Sequence, residues 1–116
     1  MRGAGFFSLH TAFEQQYNEL FLAVDEIAER VRAKGALAPG GLSILSQMAG
    51  IEEIAEDSSA QDMVRHLIKA NEKLLADLKT ARDHASEAGD SESEDLMIGR
   101  IQTHEKTKWM LDSFLD

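Results

Sequence analysis

Cysteine is absent from this sequence, and proline occurs only once in 116 residues. Without cysteine the chain has neither disulfides nor thiolate ligands, so any metal would bind to histidine, carboxylate or carbonyl groups. β-Branched residues are also scarce and helix formers dominate, which predicts an all-α protein. No apolar run approaches the roughly 18 residues of a membrane span, and no signal peptide is visible. We therefore expect a cytoplasmic protein with no membrane partner.

Positive charge is the other shortage. The chain has 12 lysines and arginines against 21 aspartates and glutamates, a formal net charge of −9. Nucleic-acid binding requires basic side chains that neutralise phosphates, and no basic tail is present, so direct DNA binding is not expected. An acidic surface instead favours solubility and the attraction of cations.

Apolar residues recur with helical spacing through most of the chain. The first helix is predicted over residues 6–34, and Gly35 is expected to end it. Its apolar stripe centres on Phe13, Val24 and Val31. The remaining residues of this stripe are Phe6, Tyr17, Leu20 and Ile27. A short helix over residues 42–49 then follows the Pro-Gly-Gly loop, in a long crossover.

A third helix is predicted to begin at Ser58 or Ser59. The pairs Ser58/Gln61 and Ser59/Asp62 both have the spacing of a capping box. Gly89 is expected to end this helix.

The last helix is predicted to begin after Asp90, with Ser91 and Glu94 as its capping box. The side chains expected to face inward on the third helix are all apolar: Val64, Leu67, Leu74, Leu78, Ala81 and Ala85. The last helix continues through a second set of apolar residues: Leu96, Ile98, Ile101, Met110, Leu111 and Phe114. Three long helices with a short crossover helix indicate a helical bundle. The opening glycine-rich turn, residues 1–5, is typical of a connection between two helices.

His10, Asp25 and Glu29 are the candidate metal ligands. Asp25 and Glu29 are four residues apart, so their carboxylates project from adjacent turns of one helix face. His10 lies roughly 22 Å away along the axis, and a single helix therefore does not bring all three to one ion. Two antiparallel copies of the helix would do so. The alternative is that the two carboxylates are ordinary solvated charges and His10 is a boundary residue.

Two large aromatic side chains lie outside the core stripe of the first helix. Phe7 and Phe21 point to the same side as Asp25 on a helical wheel. Aromatic residues beside carboxylates indicate a second buried surface, which an oligomer would supply.

The turn before the last helix is acidic, with Asp90, Glu92, Glu94 and Asp95. Carboxylates in the first helical turn stabilise the helix dipole, which is the simplest interpretation. The remaining histidines, His66, His84 and His104, show no convincing metal-site spacing. The side chains of Trp109, Met97 and Met110 are expected to fill core or interface volume.

Five short stretches of this sequence closely resemble the Dps mini-ferritins, the family that protects DNA during starvation. They are Phe-Phe-Ser-Leu-His at residues 6–10 with Asp-Glu-Ile-Ala-Glu-Arg at 25–30, Ala-Gly-Asp at 88–90, and His-Glu-Lys at 104–106 with Trp-Met-Leu at 109–111. The resemblance implies a ferritin-like four-helix bundle that assembles through two-fold dimers into a hollow dodecamer. It also implies a ferroxidase that oxidises Fe(II), preferably with hydrogen peroxide, and stores ferric mineral against oxidative damage.

The resemblance assigns roles to particular residues. His10 would bind iron from one subunit, and Asp25 and Glu29 of its mate would complete the ferroxidase centre. Asp90 and Asp95 would line an acidic pore that admits Fe(II).

One part of the family pattern has no counterpart in this sequence. The first helix of the bundle, which ends in a His-Trp-Asn-like motif and supplies a second histidine ligand, is lacking. The chain is therefore interpreted as a single ferritin-like domain over residues 1–116 that is N-terminally truncated, with impaired ferroxidase activity. The alternative function is a non-catalytic helical oligomer or fragment that has lost the ferroxidase centre with its first helix.

Overall fold

The computed structural model describes residues 3–116 and divides them into two compact units, one up to Glu53 and one over Ile54–Asp116. The first unit contains α1 (Phe6–Ala33) and α2 (Leu42–Ala49); the second contains α3 (Ala60–Glu87) and α4 (Ser91–Leu115). No strand occurs within residues 3–116. This architecture confirms the predicted all-α class. No described helix has the length and apolar character needed to cross a membrane.

Helix α1 begins after Gly5 and ends in a Schellman motif. The amide of Ala36 donates to Val31 O at 3.2 Å, and the amide of Gly35 donates to Arg32 O at 2.9 Å. Gly35 has a φ of 92°, which a residue with a Cβ rarely adopts. The predicted end of the helix is therefore correct. Met1 and Arg2 of the predicted glycine-rich turn lie outside the described residues.

The buried side of α1 is rotated from the predicted stripe. Its buried residues are Leu9 and Ala23, which lie roughly 40–80° to one side of the Phe13 direction on a helical wheel. Tyr17 and Val24, which were expected to face inward, are 68% and 63% exposed. The prediction was wrong here because apolar spacing alone does not distinguish a core face from a second apolar surface.

Helices α3 and α4 form an antiparallel pair with a buried core. Leu75, Leu78 and Ile101 form its centre, and the side chains of Leu74 and Met97 pack against them. Burial of such side chains stabilises a fold by roughly 1.5–3 kcal/mol each. Ala81, which was predicted to face inward, is exposed instead. Three large apolar residues of α4 are also exposed: Ile98, Met110 and Phe114.

At the turn that joins α3 and α4, the free backbone groups of both helix ends form hydrogen bonds with nearby residues. Gly89, with a φ of 70°, ends α3, and the amide of Asp90 donates to Ala85 O at 2.9 Å. The Asp90 carboxylate then caps α4, because it accepts from the amide of Ser93 at 3.2 Å and from its hydroxyl at 2.6 Å. The predicted Ser91 cap was wrong, since Ser91 is already helical.

At the other end of α3, the Ser59 cap was predicted correctly. The Ser59 hydroxyl oxygen accepts from the amide of Asp62 at 3.1 Å. The hydroxyl of Ser58 donates instead to Ala55 O, at 2.6 Å. A serine cap of this kind typically contributes about 1 kcal/mol.

Candidate metal centre

Helix α1 presents His10, Asp25 and Glu29 on its exposed surface. His10 is 15 residues from Asp25, so their positions differ by roughly 22 Å along the axis. Within residues 3–116, no group of three histidine, aspartate or glutamate side chains is close enough to hold a metal ion. A single chain therefore supplies two separate parts of the candidate centre, one at each end of α1.

The carboxylate part consists of Asp25 and Glu29. The two residues are one helical turn apart, the spacing at which side chains of one helix face meet. Across residues 3–116, neither carboxylate takes part in an ion pair or a hydrogen bond to another side chain. Their oxygens are hard donors, which favour Fe(III) over softer ions.

The histidine part consists of His10 and the aromatic residues of the preceding turn. The ring of His10 stacks on that of Phe6, with centroids 5.4 Å apart and planes 13° from parallel. Phe6 in turn meets Phe7 edge to face, at 5.6 Å and 76°. Sequence reasoning missed this contact, although the four-residue spacing of Phe6 and His10 indicates that their side chains are neighbours.

A band of exposed apolar side chains connects the two parts. We call it the α1 outer face, and its large apolar members are Phe7, Tyr17, Phe21 and Val24. On a helical wheel drawn at 100° per residue, these four side chains span roughly 100° of the helix surface. His10 lies within that range and Asp25 lies at its edge. Contiguous apolar patches of this kind mark interaction surfaces. Phe7 and Phe21, which were predicted to lie outside the core stripe, are both exposed.

The two predicted pore residues lie at the start of α4, in different environments. Asp90 is half-buried and its carboxylate is engaged by Ser93. Asp95 is exposed on the following turn. Asp90 therefore has a structural role at the helix terminus, and Asp95 presents its charge to solvent.

A buried polar network in the α3–α4 unit was not predicted. Arg100 Nη2 donates to His104 Nε2 at 2.7 Å, because a guanidinium has no acceptor to offer. The His104 proton then lies on Nδ1, which donates to Asn71 Oδ1 at 3.2 Å. Asn71 Nδ2 donates to Leu67 O at 2.8 Å. Both nitrogens of the His104 ring are thus used in hydrogen bonds.

Sequence and structure comparisons identify similar proteins over the whole chain. A family model for the ferritin-like domain matches residues 1–116. The DNA protection during starvation protein 2 of Bacillus anthracis is 34% identical over 116 residues, which are 100% of this chain and 80% of that protein.

Two crystal structures extend the comparison to the fold. Dps from Staphylococcus aureus gives a TM-score of 0.95 at 38% identity, over 99% of this chain and 77% of that one. Dps from Vibrio cholerae, described as a member of a broad superfamily of ferritin-like diiron-carboxylate proteins, gives 0.95 at 31% identity, over 100% of this chain and 73% of that one. These similarities confirm the predicted ferritin-like four-helix bundle fold.

Proposed function

This chain belongs to the Dps family of ferritin-like proteins, and we propose that it binds and oxidises Fe(II) at a centre shared between two subunits. The observation that carries the proposal is the division of the ligands between the two ends of α1. His10 lies near its start, and Asp25 and Glu29 lie near its end. Because these groups are separated by roughly 22 Å, a shared centre requires the antiparallel pairing of two copies.

The register of this pairing follows from the residue numbers. Where His10 of one subunit meets Asp25 and Glu29 of its mate, the two-fold axis crosses α1 about midway between these positions, near residues 17–20. Tyr17 and Phe21 flank that point, and both are exposed in the single chain. The two aromatic side chains would therefore pack against their copies at the middle of the interface. One antiparallel pair would contain two identical metal centres.

The donor set fits iron in both oxidation states. Imidazole is a borderline ligand that binds Fe(II), and carboxylate oxygens stabilise the harder Fe(III). Two Fe(II) ions would each give one electron to one molecule of hydrogen peroxide, whose O–O bond would break. With two protons from water, the two oxygen atoms would leave as two water molecules, and two Fe(III) ions would remain. The ferric product would be stored as mineral, which would protect the cell against oxidative damage. In this proposal iron is the substrate of a ferroxidase, and peroxide is the preferred oxidant.

Storage requires a closed cavity, so we extend the proposal to a cytoplasmic dodecamer assembled from two-fold dimers. The start of α4 would line its pores. The exposed Asp95 would attract Fe(II), while Asp90 would hold the turn in shape through Ser93. The formal net charge of −9 supports cation attraction and does not favour contact with DNA.

The second candidate function is a non-catalytic helical oligomer. It is favoured by the composition of the proposed centre, where one imidazole and two carboxylates leave much of the coordination of an iron ion to water. Such a centre would bind iron weakly and turn it over slowly.

Iron oxidation tests the first function directly. We expect purified protein mixed with Fe(II) and hydrogen peroxide to develop ferric absorbance faster than a protein-free control. The variants His10→Ala and Asp25→Ala should each lose this acceleration. Glu26→Ala is the matched control, since Glu26 is also an exposed acid of α1 but points roughly 160° away from His10 around the helix. Equal rates for the wild type and His10→Ala would eliminate the proposed centre.

A mixing experiment tests whether the centre is shared. A subunit with His10→Ala retains Asp25, and a subunit with Asp25→Ala retains His10, so a mixed pair contains one intact centre. Co-expression of the two variants should restore about a quarter of the wild-type rate, because half of randomly formed pairs are mixed and each has one of two centres. If the ligands came from one chain, no activity would return.

A further inference from the structure

The ring of Phe6 stacks on the imidazole of His10. The two rings are nearly parallel, 13° apart, with centroids separated by 5.4 Å, which is within the range of attractive offset stacking. Phe7 meets Phe6 edge to face, with centroids 5.6 Å apart. His10 itself is exposed, and the stack with Phe6 restricts rotation of its ring.

A metal ligand needs this kind of restraint. The outer torsion of a histidine side chain is broad and roughly two-fold, so an exposed imidazole samples many ring planes. A nitrogen lone pair lies in the ring plane, and binding to a metal therefore requires one plane. Stacking covers a face of the ring and leaves the edge, which carries both nitrogens, accessible.

The stack also favours the charge that develops on binding. An imidazole that donates to a cation becomes more positive, and the face of an aromatic ring attracts positive charge. On the helical wheel Phe6 lies on the side of His10 that is away from Asp25 and Glu29, roughly 40° from His10. Phe6 therefore leaves the direction towards the carboxylate side of the α1 outer face open.

We propose that Phe6 is a positioning residue of the metal centre, which orients His10 for binding by stacking on its ring. This inference rests on the proposed function, because it assigns Phe6 a role only where His10 is a ligand. It does not require Phe6 to touch the metal.

The test compares substitutions of Phe6 that keep or remove the aromatic face. Phe6→Leu retains an apolar side chain without a π face, and Phe6→Tyr retains the stack. Phe114→Leu on α4 is the matched control, since Phe114 is 43% exposed and Phe6 is 37% exposed. His10→Ala defines the complete loss of the ligand.

Two measurements are made on each protein. Titration with Co(II) alone, followed by its visible absorption without any oxidant, reports metal affinity. The ring-proton NMR signals of His10 in the metal-free protein, assigned with His10→Ala, report the stack through the ring current of Phe6. We expect Phe6→Leu to weaken Co(II) binding about threefold to tenfold and to shift the His10 signals. Phe6→Tyr and Phe114→Leu should resemble the wild type in both measurements.

The outcomes separate this proposal from the one on which it rests. If His10→Ala binds Co(II) as well as the wild type, the metal centre fails, and the role of Phe6 fails with it. If His10→Ala weakens binding but Phe6→Leu does not, only the role of Phe6 is overturned. Equal losses in Phe6→Leu and Phe6→Tyr, or a comparable loss in Phe114→Leu, would also overturn it, because a general effect on stability would then explain the result.

Discussion

Most of the buried apolar residues lie in the α3–α4 unit, whereas most of the exposed large ones lie in the unit that contains α1 and α2. In the α3–α4 unit, Leu75, Leu78 and Ile101 are buried against each other. In the unit that contains α1 and α2, large apolar residues such as Phe7 and Phe21 are exposed, and α2 has no buried residue. The two units have similar types of apolar side chain but differ in whether these are covered within the chain.

This difference indicates which residues stabilise the folded chain and which are available to stabilise an oligomer. A buried cluster stabilises the chain itself, whereas an exposed aromatic band gains its stabilisation only when another surface covers it. The candidate ligands His10, Asp25 and Glu29 all lie on the unit with the exposed band. Substitutions in the α3–α4 unit should therefore change unfolding, and those on the α1 outer face should change association and metal binding.

The largest contrast is expected for leucine truncation. Leu78 is 7% exposed and Leu22 on α1 is 69% exposed. Leu78→Ala should lower the free energy of unfolding by about 2–5 kcal/mol, because it leaves a cavity in the core. Leu22→Ala should change it by less than about 0.5 kcal/mol. Denaturant unfolding, at concentrations where size exclusion shows one oligomeric state, measures both. Comparable losses would mean that the α1 surface is part of the folded core.

The next effect is expected from the buried network of α3 and α4. His104→Ala removes one hydrogen-bond partner from each of Arg100 and Asn71, and it should destabilise the protein by about 1–3 kcal/mol. His84→Ala removes an exposed histidine of α3 and serves as the control. Thermal unfolding compares the two. A small effect of His104→Ala would show that water replaces the lost hydrogen bonds.

A smaller effect is expected for association through the α1 outer face. Phe21→Ala should weaken the proposed two-fold pairing about tenfold, because it removes an exposed aromatic side chain near the axis. Helical content should not change. Sedimentation or size exclusion over a dilution series measures the pairing, with Glu26→Ala as the control on the same helix. Unchanged mass at every dilution would place the interface elsewhere.

The smallest effect concerns Lys108. Its ammonium donates to Asp112 at 2.8 Å and lies 3.8 Å from Glu72 of α3. The hydrogen bond to Asp112, with the charges of both carboxylates, raises the pKa of Lys108 above the ordinary value of 10.5. A raised pKa stabilises the fold below the ordinary value, and this contribution is lost as the pH rises through the raised one.

Alkaline unfolding is the corresponding measurement. Stability should decrease slightly as the pH rises above 10.5. Part of that decrease should disappear in Lys108→Met but remain in Lys79→Met, which removes an exposed lysine of α3. Identical alkaline curves for the wild type and Lys108→Met would show that the ion pairs are fully screened by solvent.

Local signals predicted the helices well. Gly35, Gly89 and Ser59 each mark a helix end, because they act on backbone groups only a few residues away. The rotation of the buried side of α1 was not predictable in this way, since Val24 and Ala23 are both apolar and differ only in what covers them. The contact of His104 with Asn71 joins residues 33 positions apart, so it depends on how α3 and α4 pack.

For the candidate site, the sequence alone predicted only that the ligands of one ion would have to come from two subunits. The spacing of His10 and Asp25 on one helix excludes a common ion within one chain, and residues 3–116 contain no three-ligand group. The identity of the ligands stays a prediction, as does the pore role of Asp90 and Asp95, because both depend on neighbouring subunits. The stack of Phe6 on His10 was missed because side-chain rotamers decide it.

Asp90 takes part in both helix ends at this turn. Its backbone amide donates to Ala85 O at the end of α3, and its carboxylate accepts from the amide of Ser93 at the start of α4. In the turn between α3 and α4, the same residue therefore serves both helix ends. If a single amino acid were inserted there, one residue would end α3 and a different residue would cap α4. The axial position of α4 relative to α3 would then no longer be fixed by Asp90.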